Sequence, residues 1–273
     1  MNAKRLLGAL LTVGLTLAVA TQVTDVHAKG KKEDAAVADP PVTKKAIALT
    51  LSGVSWGQSP KQVGDALDKL VDEDYRPRYK EVQPGIQMKD LDAQIAEDKS
   101  QFRRSRIDFG KLPTGLDGTP LRGEYSYNNK EALLSFTRKG ELTYFFFIQE
   151  RLWKIIEEKK LAEGAPLGKN YMEAVVKLST NYGIPGRVRQ PDGAAISSVE
   201  VDWKDATSHL RAIQRSDTAL GLAYEDNGTV ANLSSLRPNK PTVDNGIDPD
   251  VAAMMRGPDA APGPPPDPKK KKK

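Results

Sequence analysis

The chain has 273 residues and a formal net charge of +5, and 38% of its residues are hydrophobic. This length allows one or two domains with a core in the middle of the chain. The chain contains no cysteine, which excludes disulfides and thiolate metal ligands. Basic and acidic residues nearly balance across 46–240, so the excess positive charge lies at the chain ends and does not favour nucleic acid as a partner of the folded part.

The N-terminus has the pattern of a cleavable secretory signal peptide. Lys4 and Arg5 precede an apolar run over 6–20, and small residues follow it. We predict cleavage after Ala28, with a cut after Ala20 as the alternative. The apolar run is shorter than the roughly 20 residues that span a bilayer, so no transmembrane segment is expected in the mature chain. The absence of cysteine excludes a lipid anchor of the bacterial lipoprotein type.

Residues 29–45 are charged and contain proline, which predicts a disordered linker. A first α+β module is predicted over 46–163. It begins with a short apolar strand at 46–54, and a helix follows with Ser59 as N-cap and Pro60 as its first residue. This helix carries an apolar stripe and is expected to end at the acidic run around Asp74.

A second helix is predicted over 90–104, and strands follow it. Segments 124–127 and 132–137 flank Asn128-Asn129, which predicts a hairpin turn. Segment 142–148 is aromatic and apolar, which predicts a central strand buried on both faces. Segment 151–156 fits a strand or a helix, and we favour the strand.

The second module is predicted over 164–237. Its helix begins after the cap Asn170 and ends at Gly183. Strands are expected at 199–203, 210–214 and 220–224, and Asn227-Gly228 predicts a further turn. Alternating apolar and acidic residues in the first of these strands predict a sheet with one solvated face.

The segment 238–273 is proline-rich and ends in five lysines, Lys269, Lys270, Lys271, Lys272 and Lys273. Such a composition predicts a disordered, extended tail. Five lysines on a flexible spacer act as a tethered polycation, and each contributes about 1 kcal/mol near an anionic membrane. The tail is therefore a candidate polyanion-binding element, and a solubilising end without a partner is the equal alternative.

The two modules align at a constant offset. Gly53, Gly57, Ser59 and Leu67 correspond to Gly164, Gly168, Asn170 and Leu178. A true repeat and chance agreement both stay open. The run from Gly57 to Val63 resembles the entry helix of the tandem helix-plus-sheet modules of small bacterial outer-membrane assembly lipoproteins and of the β-lactamase-inhibitor protein fold. The resemblance implies an envelope binding or scaffold role, and it carries over no functional residue.

No catalytic signature is present. His209 is the one histidine left after signal removal, and we interpret it as a surface strand residue. Glu200 and Asp202 share a strand face and form the one candidate carboxylate pair for a hydrolase, although alternation favours a solvated face. No cofactor and no metal is predicted.

Two short basic clusters form a candidate patch for an anionic partner if they meet in space. They are Arg76, Arg78 and Lys80, followed by Arg103, Arg104 and Arg106. A scattered solvated surface is the alternative interpretation.

These patterns predict an α+β protein with an antiparallel sheet, two or three packed amphipathic helices and disordered ends. The leading functional hypothesis is an exported, non-enzymatic bacterial envelope protein, periplasmic or secreted, that binds or scaffolds. Its expected partner is an envelope protein or an anionic envelope surface. The alternatives are a polyanion binder acting through the lysine tail and a carboxylate-dependent hydrolase.

Overall fold

A computed structural model describes residues 39–110, 113–192 and 197–239. They form one sheet of eight antiparallel strands in the order β1-β2-β3-β4-β8-β7-β6-β5. The strands are β1 Ile107–Asp108, β2 Glu131–Arg138, β3 Glu141–Ile148, β4 Arg151–Lys160, β5 Arg187–Arg189, β6 Glu200–Lys204, β7 Ser208–Ser216 and β8 Ala219–Asp226. The helices are α1 Pro60–Glu81, α2 Ile86–Arg104, α3 Tyr171–Tyr182, α4 Asn227–Ala231 and α5 Leu233–Leu236. The predicted α+β class with an antiparallel sheet is confirmed.

Helix α1 begins where the sequence predicts and extends further. The Ser59 hydroxyl accepts a hydrogen bond from the Gln62 backbone N–H, and the Ser59 N–H donates to the Gln62 side chain at 2.9 Å. The helix runs on to Glu81, so its predicted end at the acidic run is wrong. The reason is tertiary: Arg138, at the end of β2, binds the carboxylate of Asp74 at 2.6 Å and neutralises its charge.

The predicted strand at 46–54 is wrong, because this segment satisfies its backbone in another way. The N–H of the buried Ile47 donates to Asp205 Oδ2 at 2.5 Å. A turn then ends at Val54, and Gly53 there has a φ of +80°. The backbone of this segment therefore forms hydrogen bonds with a side chain and within a turn, and not with a neighbouring β-strand.

Two predicted hairpin features also take other forms. Segment 124–127 is irregular, and Tyr125 within it stacks on Phe109 with the ring centroids 3.8 Å apart. Asn227 begins helix α4 instead of a turn, because the Asp226 carboxylate accepts from the Thr229 N–H and caps a helix.

Helices α1, α2 and α3 pack on one face of the sheet, which we call the helix face. The apolar stripe of α1 and the inward side chains of α3 share a single core with alternate residues of β2–β4 and β6–β8. A smaller core lies on the opposite face, which we call the second face. It includes Phe109, Phe146, Ile156 and Ile213, and Leu233 of α5 packs against it.

The positions that the sequence aligns between the two modules have matching local conformations. Gly53 and Gly164 have φ of +80° and +79°, and Gly57 and Gly168 have φ of +78° and +95°. Asn170 caps α3 through the N–H of its third residue, as Ser59 caps α1. The last strands of the two halves, β4 and β8, pair with each other, so both halves build one sheet.

The ends of the described chain are attached to the fold. The Thr43 N–H donates to the Lys204 carbonyl at 2.8 Å, and the Lys44 N–H donates to the Tyr182 carbonyl at 2.9 Å. At the other end, the Asn239 N–H donates to the Asn129 side chain at 3.0 Å. The end of the predicted linker 29–45 and the start of the predicted tail 238–273 are therefore hydrogen-bonded to the sheet and its loops. The proposed signal with Ala28, and Lys269 to Lys273, lie outside the described residues.

Candidate functional site: a buried charge cluster on the second face

A β-bulge in β4 places two neighbouring side chains on the same face. Phe146 of β3 pairs with Lys154, and Phe147 pairs with Leu152, so Trp153 is an extra residue in the ladder. Without a bulge, Trp153 and Lys154 would point to opposite faces. With it, the indole joins the core of the second face and the ammonium lies beside it, with Nζ 4.4 Å from a ring centroid of Trp153.

Strict alternation in β6, β7 and β8 supplies most of the remaining charges. We define the charge cluster as Glu124, Lys154, Glu200, Asp202, His209, Arg211 and Glu225, of which Glu124 comes from the loop before β2. The predicted solvated face in β6 is wrong, since Glu200 is 6% exposed and Asp202 is 0% exposed. They are buried because cations of β5 and β7 and the histidine of β7 pair with them.

Arg211 is the centre of the cluster. Its guanidinium binds Glu124 at 2.6 Å, Glu225 at 3.0 Å and Glu200 at 3.1 Å. Lys154 binds Glu124 at 2.5 Å and Glu225 at 3.1 Å. Two cations thus share carboxylates from three separate parts of the chain, and each contact is a charge-assisted hydrogen bond.

The surrounding charges hold these groups in their ionised forms. Burial alone would raise the pKa of Glu124, but the attraction of Arg211 and Lys154 lowers that pKa to about 2. For the same reason the pKa of Glu225 lies well below its usual range. Burial opposes the charged form of Arg211, yet its three carboxylate partners raise its pKa well above the ordinary value.

His209 connects the cluster to the edge of the sheet. Its Nδ1 lies 2.9 Å from Glu225, and its Nε2 lies 3.2 Å from Asp202. Burial disfavours the imidazolium, but the hydrogen bonds to these two carboxylates outweigh it and raise the pKa of His209. Arg187 of β5 binds the other side of Asp202, with Nε 2.9 Å from Oδ1. The sequence-based interpretation of His209 as a surface residue is therefore wrong, and its side chain is 15% exposed.

A cavity of about 280 Å³ lies over the cluster. Six cationic side chains are in its wall: Arg122, Lys154, Arg189, Arg211, Arg215 and Arg237. The carboxylates in the wall are Glu124, Glu200 and Glu225, and His209 also lies there. Trp153, Ile213, Val230 and Leu233 supply an apolar part. The cavity thus combines a mostly cationic charged part with an apolar wall.

The structure does not bring the two predicted basic clusters into one patch. Arg78 lies near the end of α1, and its guanidinium is 3.4 Å from Gln94 of α2. Arg103, at the other end of α2, binds Asp65 and Asp68 near the start of α1. The antiparallel α1–α2 pair therefore separates the clusters by most of its length.

The other residues of the two clusters lie on the same pair of helices or beside it. Arg76 and Lys80 are exposed on the last turns of α1. Arg104 pairs with Glu97, and Arg106 pairs with Asp108 and Glu150. All three arginines of the second cluster are thus paired with neighbouring carboxylates.

Glu200 and Asp202 lie on one face of β6, and both carboxylates are ion-paired. Each is bound by an arginine of β5, and the pKa of Asp202 is lowered because hydrogen bonds from His209 and Arg187 outweigh its burial. Among residues 39–110, 113–192 and 197–239, no group of three or more histidine and acidic side chains is arranged to hold a metal ion. Within the same ranges, no helix has the length and hydrophobicity needed to cross a membrane.

Comparisons of the chain with models of known families, with curated proteins and with solved structures gave no match. The fold and the cluster by themselves define an α+β protein that covers one sheet face with helices and builds a charged cavity on the other. The resemblance to envelope assembly modules stays a prediction.

Proposed function

We propose that this chain is an exported, non-enzymatic protein of the bacterial envelope that binds a ligand in the cavity over the charge cluster. The observation that carries the proposal is the cluster itself, which forms the floor of a cavity instead of an exposed surface. Buried ion pairs contribute little net stability compared with apolar residues of similar volume. Shifted ionisable groups gathered in a cavity are typical of functional sites.

Binding accounts for the cluster better than catalysis does. An acid or base catalyst exchanges a proton near neutral pH. The pKa of Glu124, of Glu225 and of Asp202 is lowered, and that of Arg211 is raised, so these groups keep their charges. The fixed charges of Glu124, Glu225, Asp202 and Arg211 suit recognition of a complementary ligand.

Thermal shift with a chemically diverse set of neutral, cationic and anionic small molecules tests the binding proposal. Binding to the folded state raises the melting temperature in a concentration-dependent way. Of the three tryptophans, Trp153 lies in the cavity wall, whereas Trp203 and Trp56 pack on the helix face. A true cavity ligand should therefore also change the fluorescence of Trp153. If no compound of any charge raises the melting temperature and changes that fluorescence, the cavity is not a binding site.

Export is supported by the signal pattern that precedes Ala28. N-terminal sequencing of the protein from cell fractions should find a mature chain that begins at Lys29, or at Thr21 for the alternative cut. Recovery of uncleaved protein from the cytoplasmic fraction alone would contradict export.

The lysine tail favours a second candidate function, attachment to an anionic envelope surface. Deletion of Lys269 to Lys273 should lower co-sedimentation with vesicles that contain anionic lipid, most visibly at low salt. Equal sedimentation of the full-length and shortened chains would remove this candidate and leave the cavity proposal intact.

A further inference from the structure

We infer that the cavity takes a small organic anion with an oxyanion head, a carboxylate or a phosphate, and a short apolar body. This inference rests on the proposed binding function and names the class of ligand. Three observations support it: one cation of the wall makes no direct ion pair, three of the cations are more accessible than the carboxylates, and two buried N–H donors of wall residues lack an acceptor.

One of the six cations of the wall makes no direct ion pair. Five of the six cationic side chains pair with carboxylates in the wall or directly beside it. The sixth, Arg122, is exposed, and no carboxylate in the described part of the chain contacts its guanidinium directly. Its nearest acidic influence is Asp117, whose pKa is lowered by hydrogen bonds from Tyr127 and Tyr125 and also by the charge of Arg122. A guanidinium that no carboxylate holds directly is available to an entering anion.

Three of the six cations of the wall, Arg122, Arg189 and Arg237, are more accessible than its carboxylates. The other three side chains are as buried as the carboxylates, with Lys154 4%, Arg211 10% and Arg215 11% exposed. The side chains of Arg189 and Arg237 are 27% and 20% exposed. The three carboxylates lie deeper, with Glu124 12%, Glu225 10% and Glu200 8% exposed. An entering ligand therefore meets guanidinium groups first, and their planar forks match the geometry of carboxylate and phosphate oxygens.

Two buried N–H donors of the wall lack an acceptor. They are Trp153 Nε1 and Arg211 Nε, and neither has a hydrogen-bond partner in the described structure. Trp153 is 1% exposed and Arg211 is 8% exposed. A buried donor without a partner is destabilising, because its hydrogen bond to water is lost and not replaced. What both atoms lack is an acceptor.

The size and the apolar part of the wall limit the ligand. A cavity of about 280 Å³ is at the small end of ligand pockets. This volume suits a ligand with on the order of ten non-hydrogen atoms. The apolar contacts come from Ile213, Val230 and Leu233 together with Trp153.

Four aromatic probes of similar size test the charge assignment on the full chain at constant ionic strength. They are benzoate, phenyl phosphate, neutral benzamide and cationic benzylamine, and binding is measured by calorimetry and by tryptophan fluorescence. We expect the two anions to bind at micromolar to millimolar concentration and the other two to bind at least tenfold more weakly. The stronger of the two anions distinguishes a carboxylate site from a phosphate site.

Substitutions then locate the site. Arg122→Gln should weaken binding of the anions roughly tenfold, because a charged hydrogen-bond donor is lost. The matched control Arg76→Gln, which removes an exposed arginine on α1, should leave affinity unchanged. Trp153→Phe should remove most of the fluorescence response, since Trp153 is the tryptophan in the cavity wall.

Stronger binding of benzamide or benzylamine at Trp153 would overturn the anion assignment and leave the binding proposal standing. If neither Arg122→Gln nor Trp153→Phe changes the binding of the anions, the anions bind elsewhere and the inference is overturned. Absence of binding by all four probes at millimolar concentration would also overturn it, and the diverse compound set would then decide the binding proposal on its own.

Discussion

Replacing Arg211 with methionine removes the cation on which three buried carboxylates depend. Arg211→Met keeps a long unbranched side chain, so the main change is the loss of charge and hydrogen bonds. Its contacts to Glu124, Glu225 and Glu200 are 2.6, 3.0 and 3.1 Å long. Breaking a buried ion pair from one side is destabilising by about 3–5 kcal/mol, because the remaining charge is left uncompensated.

For a domain of this size, 1 kcal/mol corresponds to about 2–4 °C in melting temperature, so we expect a drop on the order of 10 °C at neutral pH. Urea unfolding followed by circular dichroism gives the free energy directly. The control is Arg104→Met, because Arg104 and its partner Glu97 are 60% and 64% exposed. Such a surface pair contributes about 0–1 kcal/mol.

The loss of unfolding free energy caused by Arg211→Met should become smaller as the pH is lowered from about 7 to about 5. Burial raises the pKa of Glu124 and Glu225, and without Arg211 less attraction opposes that rise. The folded variant then takes up protons that neutralise the stranded carboxylates, which stabilises it relative to the unfolded chain. Adding Glu225→Gln to Arg211→Met should recover part of the stability, because Lys154 and Glu124 then remain as a pair.

A loss below about 1 kcal/mol at neutral pH, equal to that of the surface control, would refute this account of the cluster. Strict additivity of Arg211→Met and Glu225→Gln would refute it too, because groups in direct contact are expected to couple.

Three further predictions concern single positions. His209→Gln should lower the free energy of unfolding at about pH 5 and much less at about pH 8.5. The fold raises the pKa of His209 above 6.5, so the stabilisation by its ion pairs is full below pH 6.5 and is lost as the pH rises. An equal effect of the substitution at both pH values would contradict these ion pairs. Gly186→Ala should be destabilising by about 1–3 kcal/mol, because the new methyl group would lie 2.5 Å from the Trp203 ring, whereas Gly118→Ala, with nothing within 4 Å, serves as its control. Ser59→Ala should be destabilising by about 1 kcal/mol through loss of the N-cap of α1, and Ser59→Thr should keep most of that stability in a thermal melt.

Local patterns in the sequence were sufficient for the elements whose signals act over a few residues. The structure confirms the predicted helix caps Ser59 and Asn170 and the left-handed Gly183 that ends α3. It also confirms the strands predicted at 142–148 and 220–224. A cap bonds to a backbone group three residues away, and strand alternation depends only on the pleat. Such features therefore need no knowledge of distant residues.

The predictions failed where a distant residue decided the outcome. Helix α1 passes its acidic run because Arg138 binds Asp74, and segment 46–54 avoids a strand because Asp205 binds its backbone at Ile47. Each partner lies many residues away in the sequence, so the local pattern contains no sign of it.

The charge cluster shows the same division most clearly. Alternation in β7 and β8 places His209, Arg211 and Glu225 on one face, and the sequence could have revealed this much. It could not reveal that Glu124, 87 residues before Arg211, closes over them, or that a bulge turns Lys154 to their side. The sequence by itself therefore determined the type and order of most helices and strands. Tertiary structure alone decided that the polar face of the sheet is a buried, ion-paired cluster that lines a cavity. The reason is that ion pairing depends on distance in space and not on separation along the chain.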